Sequence, residues 1–329
     1  MRHLSMTIAC LVLMGSVVSP GVAAPQWLTL PPTPKLPRAE RSGYAPVDGI
    51  RIWYATFGRG SPVILLHGGL ANSDYWGHQV RALAPRYRVI VMDSRCQGRS
   101  TCNDAPISYA LMAADVLGLM DFLSIRKAAV VGWSDGAIVG LEIALHHPER
   151  ITKLFAFAAN SNPAGVKDVS KSPVFEAYIA RARREYERLS PNPTQFPSLL
   201  ARITRMWARQ PEFTAARLRR IRVPTWIVDG DHDEAIKRSD TLFLADHILG
   251  GGLLIEPDVS HFAFLQDPAE FDARLLHFLA HVKGRGSRAG STPHGRCQSA
   301  KDPLRRCSRL ADPFVRNAGQ WNNGFAISQ

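Results

Sequence analysis

The chain has 329 residues, 46% of them hydrophobic and 21% charged, which is enough apolar material for one large core and too much for a protein disordered throughout. Its formal net charge of +12 is concentrated in two places. Residues 167–222 hold thirteen Lys/Arg against five Asp/Glu, and residues 284–329 hold eight against two, so the remainder is close to neutral. Charge gathered in an insert and a tail, without a basic stripe interleaved with aromatics, argues against nucleic-acid binding.

The N-terminus carries Arg2 and His3, an apolar run over 6–18, and the small residues Val22-Ala23-Ala24. That three-part pattern predicts a secretory signal peptide at 1–24. The run is too short to span a bilayer comfortably, so a secreted or periplasmic protein without stable membrane insertion is expected. Residues 25–42 contain Pro25, Pro31, Pro32, Pro34 and Pro37 and read as an extended linker. Cys10 falls in the leader, and Cys297 and Cys307 fall in the tail. Cys96 and Cys102 lie close enough to bridge in an oxidising compartment, but spacing does not establish that geometry, and free thiols are the default reading. No CxxC spacing suggests a metal site.

From 43 onward the pattern becomes regular. Residues 44–57 read as strand, Asp48-Gly49 turn and strand. Short apolar runs follow at 63–67, 89–93, 128–133, 154–159, 225–230 and 253–256, separated by stretches with helical spacing such as 109–123 and 137–147. Continuous apolar strands alternating with helices predict an α/β fold, a mostly parallel sheet covered by helices on both faces. Residues 161–222 break the rhythm with the helical segments 175–189 and 198–210, and an insert of this length reads as a helical cap. The folded domain therefore covers 43–282. Residues 283–329, rich in Gly, Ser, Arg and Pro without periodicity, read as a disordered basic tail.

The chemistry-bearing residues sit at strand ends. Gly132-Trp133-Ser134-Asp135-Gly136 follows an apolar strand and opens a helix, which is the context that gives G-x-S-x-G its meaning. A serine needs a base to take its proton, and the base needs an orienting acid. Asp233, in Gly230-Asp231-His232-Asp233, is the preferred acid and Asp231 its rival. His261 follows the last strand and is the expected base. His67-Gly68-Gly69-Leu70 ends the third strand, and a backbone N–H of Gly69 or Leu70 would pair with that of Asp135 as an oxyanion hole. His67 itself reads as structural.

The stretches HGGLANSDYW (67–76), DSRCQGRS (93–100), GWSDG (132–136), GDHDE (230–234) and SHFAFLQDP (260–268) resemble the α/β-hydrolase superfamily over about 43–282. Within it the wording is most similar to the branch containing valacyclovir hydrolase, the biphenyl-hydrolase-like enzymes. The resemblance implies an eight-stranded sheet, a helical cap, a Ser-Asp-His triad, and neither metal nor other cofactor. It also implies that Asp135 binds a substrate amino group, against the simpler reading of a carboxylate favoured at a helix start. Two departures stand out. Cys96 replaces a glycine that serves a positive-φ turn, and Ala137 replaces a second glycine after the elbow.

The function these observations predict is hydrolysis of a small-molecule carboxylic ester through an acyl-enzyme. Hydrolysis of C–C bonds in ring-cleavage products uses the same triad and is the enzymatic alternative. Epoxide hydrolases and haloalkane dehalogenases place aspartate where this chain has Ser134. A non-catalytic binding protein on the same scaffold is the alternative from another class, and it would be expected to lose a triad member, whereas all three are present.

Overall fold

Eight strands form a single sheet in the order β1-β2-β4-β3-β5-β6-β7-β8 in the computed structural model, which describes residues 24–281. The expected tail, and all but the last residue of the expected leader, lie outside the described residues. The strands are β1 (Arg41–Val47), β2 (Ile50–Phe57), β3 (Ser61–Leu66), β4 (Tyr87–Met92), β5 (Ala128–Trp133), β6 (Ile151–Phe157), β7 (Thr225–Gly230) and β8 (Gly252–Glu256). β1 and β2 run antiparallel to their neighbours, and the six strands from β4 to β8 along the sheet are parallel. Each apolar run noted in the sequence therefore lies on a strand.

The helices are α1 (Gly77–Leu83), α2 (Tyr109–Phe122), α3 (Asp135–His146), α4 (Pro173–Leu189), α5 (Phe196–Trp207), α6 (Ala215–Leu218), α7 (Arg238–His247), α8 (Ala263–Gln266) and α9 (Pro268–His281). Because side chains alternate along a strand, each central strand feeds two cores. Ile64, Leu66, Val130 and Leu154 pack with α2 and α3 on one face, through residues such as Met112, Val116, Ile138 and Leu141. Val63, Leu65, Val131 and Phe155 pack on the other with α1 and α9, through Val80, Leu83, Phe271 and Phe278. All six residues of β5 are buried, which explains why it reads as a continuous apolar run.

Helices α4 to α6 lie between β6 and β7 and form the cap, whose two ends meet. The Phe213 N–H donates to Ser161 O (2.8 Å), and the Ser161 N–H and hydroxyl both donate to Asp240 at the start of α7. A Val166–Ile236 bridge and the Lys167 N–H to Ala235 O bond (2.7 Å) fasten the cap root to the loop after β7.

Residues 29–40 are extended, as the prolines require, yet they do not hang free. Prolines lack the N–H but keep the carbonyl, and several carbonyls of the segment, that of Pro31 among them, are taken. Arg181 of α4 donates to the Leu30 and Pro31 carbonyls, Gln266 to Thr29 O, and Arg81 to Lys35 O. The expected linker is thus a strap bound to both cap and body.

Cys96 and Cys102 form a disulfide in the loop between β4 and α2, so free thiols, the default from sequence, are set aside here. Cys96 has φ +64°, the left-handed conformation suspected from the glycine it replaces. Closing so short a loop contributes about 2 kcal/mol by the loop-entropy relation. A buried bidentate pair, Arg95 with Asp115 of α2, anchors the same loop at 2.5 Å.

Candidate active site

Ser134 occupies the turn between β5 and α3 with φ 54° and ψ −118°, a backbone that costs energy for any residue with a Cβ. The surroundings hold it there. Its N–H donates to Phe157 O at 2.9 Å, and its carbonyl accepts from the Ala137 and Ile138 amides. The flanking glycines are required by contact: a Cβ on Gly136 would lie 2.1 Å from Leu66 O, and one on Gly132 would lie 2.3 Å from Gly136 O. The elbow can therefore press against β3 only with glycine at both positions. Ala137, the second departure from the family pattern, is fully buried in the core.

His261 follows β8, and its Nδ1 lies 2.8 Å from Asp233 Oδ2. The other Asp233 oxygen accepts from the Ala235 and Ile236 amides at 2.6 and 2.7 Å. Burial alone would raise the Asp233 pKa, but His261 and these donors outweigh it and hold the carboxyl below the usual range. Burial pulls the His261 pKa down, and the Asp233 carboxylate, with Glu234 and Asp135 behind it, more than reverses this, so the net shift is upward. Asp231, the rival acid, is exposed, and its carboxylate makes long contacts with the Val259 N–H (3.4 Å) and His232 Nε2 (3.8 Å).

Behind Asp233 lies a buried acid that sequence reasoning passed over. Asp229, on β7, accepts from the Thr241 hydroxyl (2.6 Å) and the Gly230 N–H (3.0 Å). Burial, and then the neighbouring Asp233, push its pKa well above the usual range. Glu234 accepts from the His261 N–H at 3.1 Å and fixes the backbone of that turn.

Ser134, His261, Asp135 and Gly69 line one cavity of about 440 Å³, roofed by cap residues including Phe175, Tyr178 and Trp207. The structure changes the expected oxyanion donors in one respect. The Leu70 N–H donates to Gln97 Oε1 at 2.6 Å, so Leu70 is spoken for, and Gly69 and Asp135 are the amides beside the cavity. The Gly69 carbonyl accepts from the Tyr178 hydroxyl (2.5 Å), which fixes the orientation of that peptide. His67 is structural as expected. Its Nε2 accepts from the Ser94 N–H (2.9 Å), so the proton sits on Nδ1, directed at Gly68 O, and burial lowers its pKa.

Asp135 is buried at the first position of α3. Its carboxylate accepts from the Tyr109 hydroxyl (2.8 Å) and the Trp207 indole N–H (2.9 and 3.0 Å). Burial pushes its pKa up to about 6 against the effect of these donors. Neither partner was visible from the sequence, since Tyr109 begins α2 and Trp207 ends α5. Among the described residues one group could hold a metal ion, the exposed Asp231, His232 and Asp258, and it lies outside the cavity.

A serine with positive φ at a strand-to-helix elbow, lining one cavity with an Asp-paired histidine beneath a helical cap, is a family-level arrangement. The family model described as "Alpha/beta hydrolase family" matches residues 63–274. The chain belongs to that family. This hydrolase is 27% identical over 290 residues to the human (Homo sapiens) serine hydrolase BPHL, covering 81% of this chain and 95% of that one. It is 32% identical over 244 residues to a RutD of Caulobacter sp. (strain K31), covering 66% of this chain and 90% of that one. Among solved structures it is similar to Est816, described as an N-acyl homoserine lactone degrading enzyme, with 26% identity and a TM-score of 0.58 over 72% of this chain and 100% of that one.

Proposed function

We propose that this hydrolase cleaves small carboxylic esters through an acyl-enzyme, with Ser134 as nucleophile, His261 as base and Asp233 as orienting acid. The observation that carries the reading is the 2.8 Å Asp233–His261 bond beside the cavity that Ser134 lines. Asp233 keeps the imidazole proton on Nδ1, leaving Nε2 free to take the serine proton as Oγ attacks the ester carbonyl. The tetrahedral oxyanion is stabilised by the Gly69 and Asp135 N–H groups, the latter at the positive end of α3. His261 then returns the proton to the leaving alcohol, and water releases the acid by the same steps. The name of Est816 supports this reading, since a lactone is a cyclic ester. Rapid mixing with p-nitrophenyl acetate tests it. The expected result is a burst of p-nitrophenol equal to the enzyme, followed by slower turnover. An enzyme inert to esters of every chain length overturns the reading.

Asp135 adds a finer reading, that the acyl group carries an amine. Its two hydrogen-bond donors are neutral, so the carboxylate is solvated but its charge has no cationic partner among them. A substrate ammonium in the cavity would supply that partner. The charge exists only above a pH of about 6, where the carboxyl ionises. An aminoacyl ester should therefore exceed its des-amino analogue in kcat/KM, by a margin that grows as pH rises through 6 and vanishes in Asp135→Asn. Equal kcat/KM values for the two esters at pH 8 would leave Asp135 as a wall of the pocket and a helix-start residue.

A further inference from the structure

Between α4 and α5, on the cap, lies a second cavity of about 840 Å³. Its walls include Val169, Phe175, Ile179, Phe196, Leu200 and Trp207. Three of these, Val169, Phe175 and Trp207, also line the nucleophile chamber, so the two spaces adjoin across them. The Phe175 ring centroid lies 5.4 Å from that of His261, and Trp207 bonds Asp135, so the partition is built from side chains already touching the reacting centre.

Helices α4 and α5 are each apolar over a wider arc than the core uses. On α5, Leu199, Ile203 and Met206 are buried in the core, while Leu200 and Trp207, seven residues apart, turn toward the second cavity. On α4, Val174, Tyr178 and Ala182 are buried, while Phe175 and Ile179, four apart, turn the same way. Two such stripes lining a space that adjoins the nucleophile chamber leave apolar surface for a ligand to cover. Of the charged residues at the cavity, Arg183 is paired with Glu187 at 2.8 Å, and Glu176 and Arg184 are exposed and of opposite sign. The chamber over Ser134, at about 440 Å³, is toward the small end of ligand pockets, so a longer substrate has to extend beyond it.

We propose that this cap cavity is a binding arm for an aliphatic chain of the substrate, entered past Phe175 and Trp207. The inference rests on the ester reading for its substrate, and it assigns the hydrolase esters with a medium-length alkyl chain rather than acetates. The chain lies on the acyl or the alcohol side, and paired substrate series separate the two.

The experiment compares kcat/KM for p-nitrophenyl acetate and octanoate, and for ethyl and octyl acetate, in the wild type and in Leu200→Trp, which fills the arm. Burial is worth roughly fourfold per methylene, so the long-to-short ratio should exceed about tenfold in one series and fall at least tenfold in the variant. Should Leu200→Trp fail to fold, Leu200→Ser must lower the same ratio. A binding measurement keeps the arm independent of the chemistry: calorimetric titration of Ser134→Ala with sodium decanoate should show one site, with heat-capacity loss on binding, absent when Leu200→Trp is added. Decanoate binding that Leu200→Trp abolishes, in an enzyme inert to all esters, supports the arm and refutes the ester reading. Ester turnover whose chain-length ratio is flat, or unmoved by Leu200→Trp, overturns the arm and leaves the ester reading standing.

Discussion

Ser134→Ala is expected to abolish covalent labelling by a fluorophosphonate and to lower kcat for p-nitrophenyl acetate by about 10⁴- to 10⁶-fold, as breaking such triads does. The size of the effect follows from what remains. On the proposed mechanism no acyl-enzyme forms without Oγ, and the amides assigned to the oxyanion, Gly69 and Asp135, stabilise only the slow direct attack of water. The fold should tolerate the change, because alanine keeps the backbone bonds that hold the residue at φ 54°, namely its N–H to Phe157 O and its carbonyl to the Ala137 and Ile138 amides. An unchanged thermal midpoint would separate lost chemistry from lost structure. Labelling that persists in the alanine variant would place the nucleophile at another serine and sink the assignment.

What could be read before the structure was local. The elbow announces itself because its glycines are demanded by contacts within a few residues, and the strand runs because both faces of the sheet are buried. The pairing of Asp233 with His261 was legible because each follows a strand end in the order the fold imposes. The rest of the site is assembled from residues that are remote in sequence. Tyr109 and Trp207 reach Asp135 across 26 and 72 residues, and Tyr178 reaches Gly69 across 109. Two of these three belong to the cap, whose helices show periodicity without showing what lies beneath them. The choice between Gly69 and Leu70 as oxyanion donor was open in the sequence for a related reason. Whether its N–H is free depends on Gln97, 27 residues away in a loop whose shape is set by the Cys96–Cys102 bridge and the Arg95–Asp115 pair. The prolines of 29–40 announce an extended chain, but not the arginines that hold the carbonyls of Leu30, Pro31 and Lys35.

The choice between two acids only two residues apart carries the second large effect. Asp233→Asn is expected to lower kcat by about 10⁴-fold, while Asp231→Asn stays within a few-fold of wild type. Asparagine at 233 offers an N–H₂ to His261 Nδ1 and so favours the tautomer with the proton on Nε2, which cannot accept the serine proton. Asp231 is exposed and touches neither His261 nor the cavity, so its loss leaves the base in place. The pH profile supplies a second readout with a definite sign. The active form of His261 is neutral, and Asp233 is the chief group raising its pKa above the usual histidine value, against burial. In the wild type, kcat/KM should fall as pH drops through that raised pKa. Removing the charge of Asp233 leaves burial as the dominant influence, so the acid limb of the residual activity should move to lower pH in Asp233→Asn. In Asp231→Asn it should not move. An Asp231→Asn enzyme that loses its activity while Asp233→Asn keeps it would mean that the turn after β7 presents the other carboxylate to the histidine.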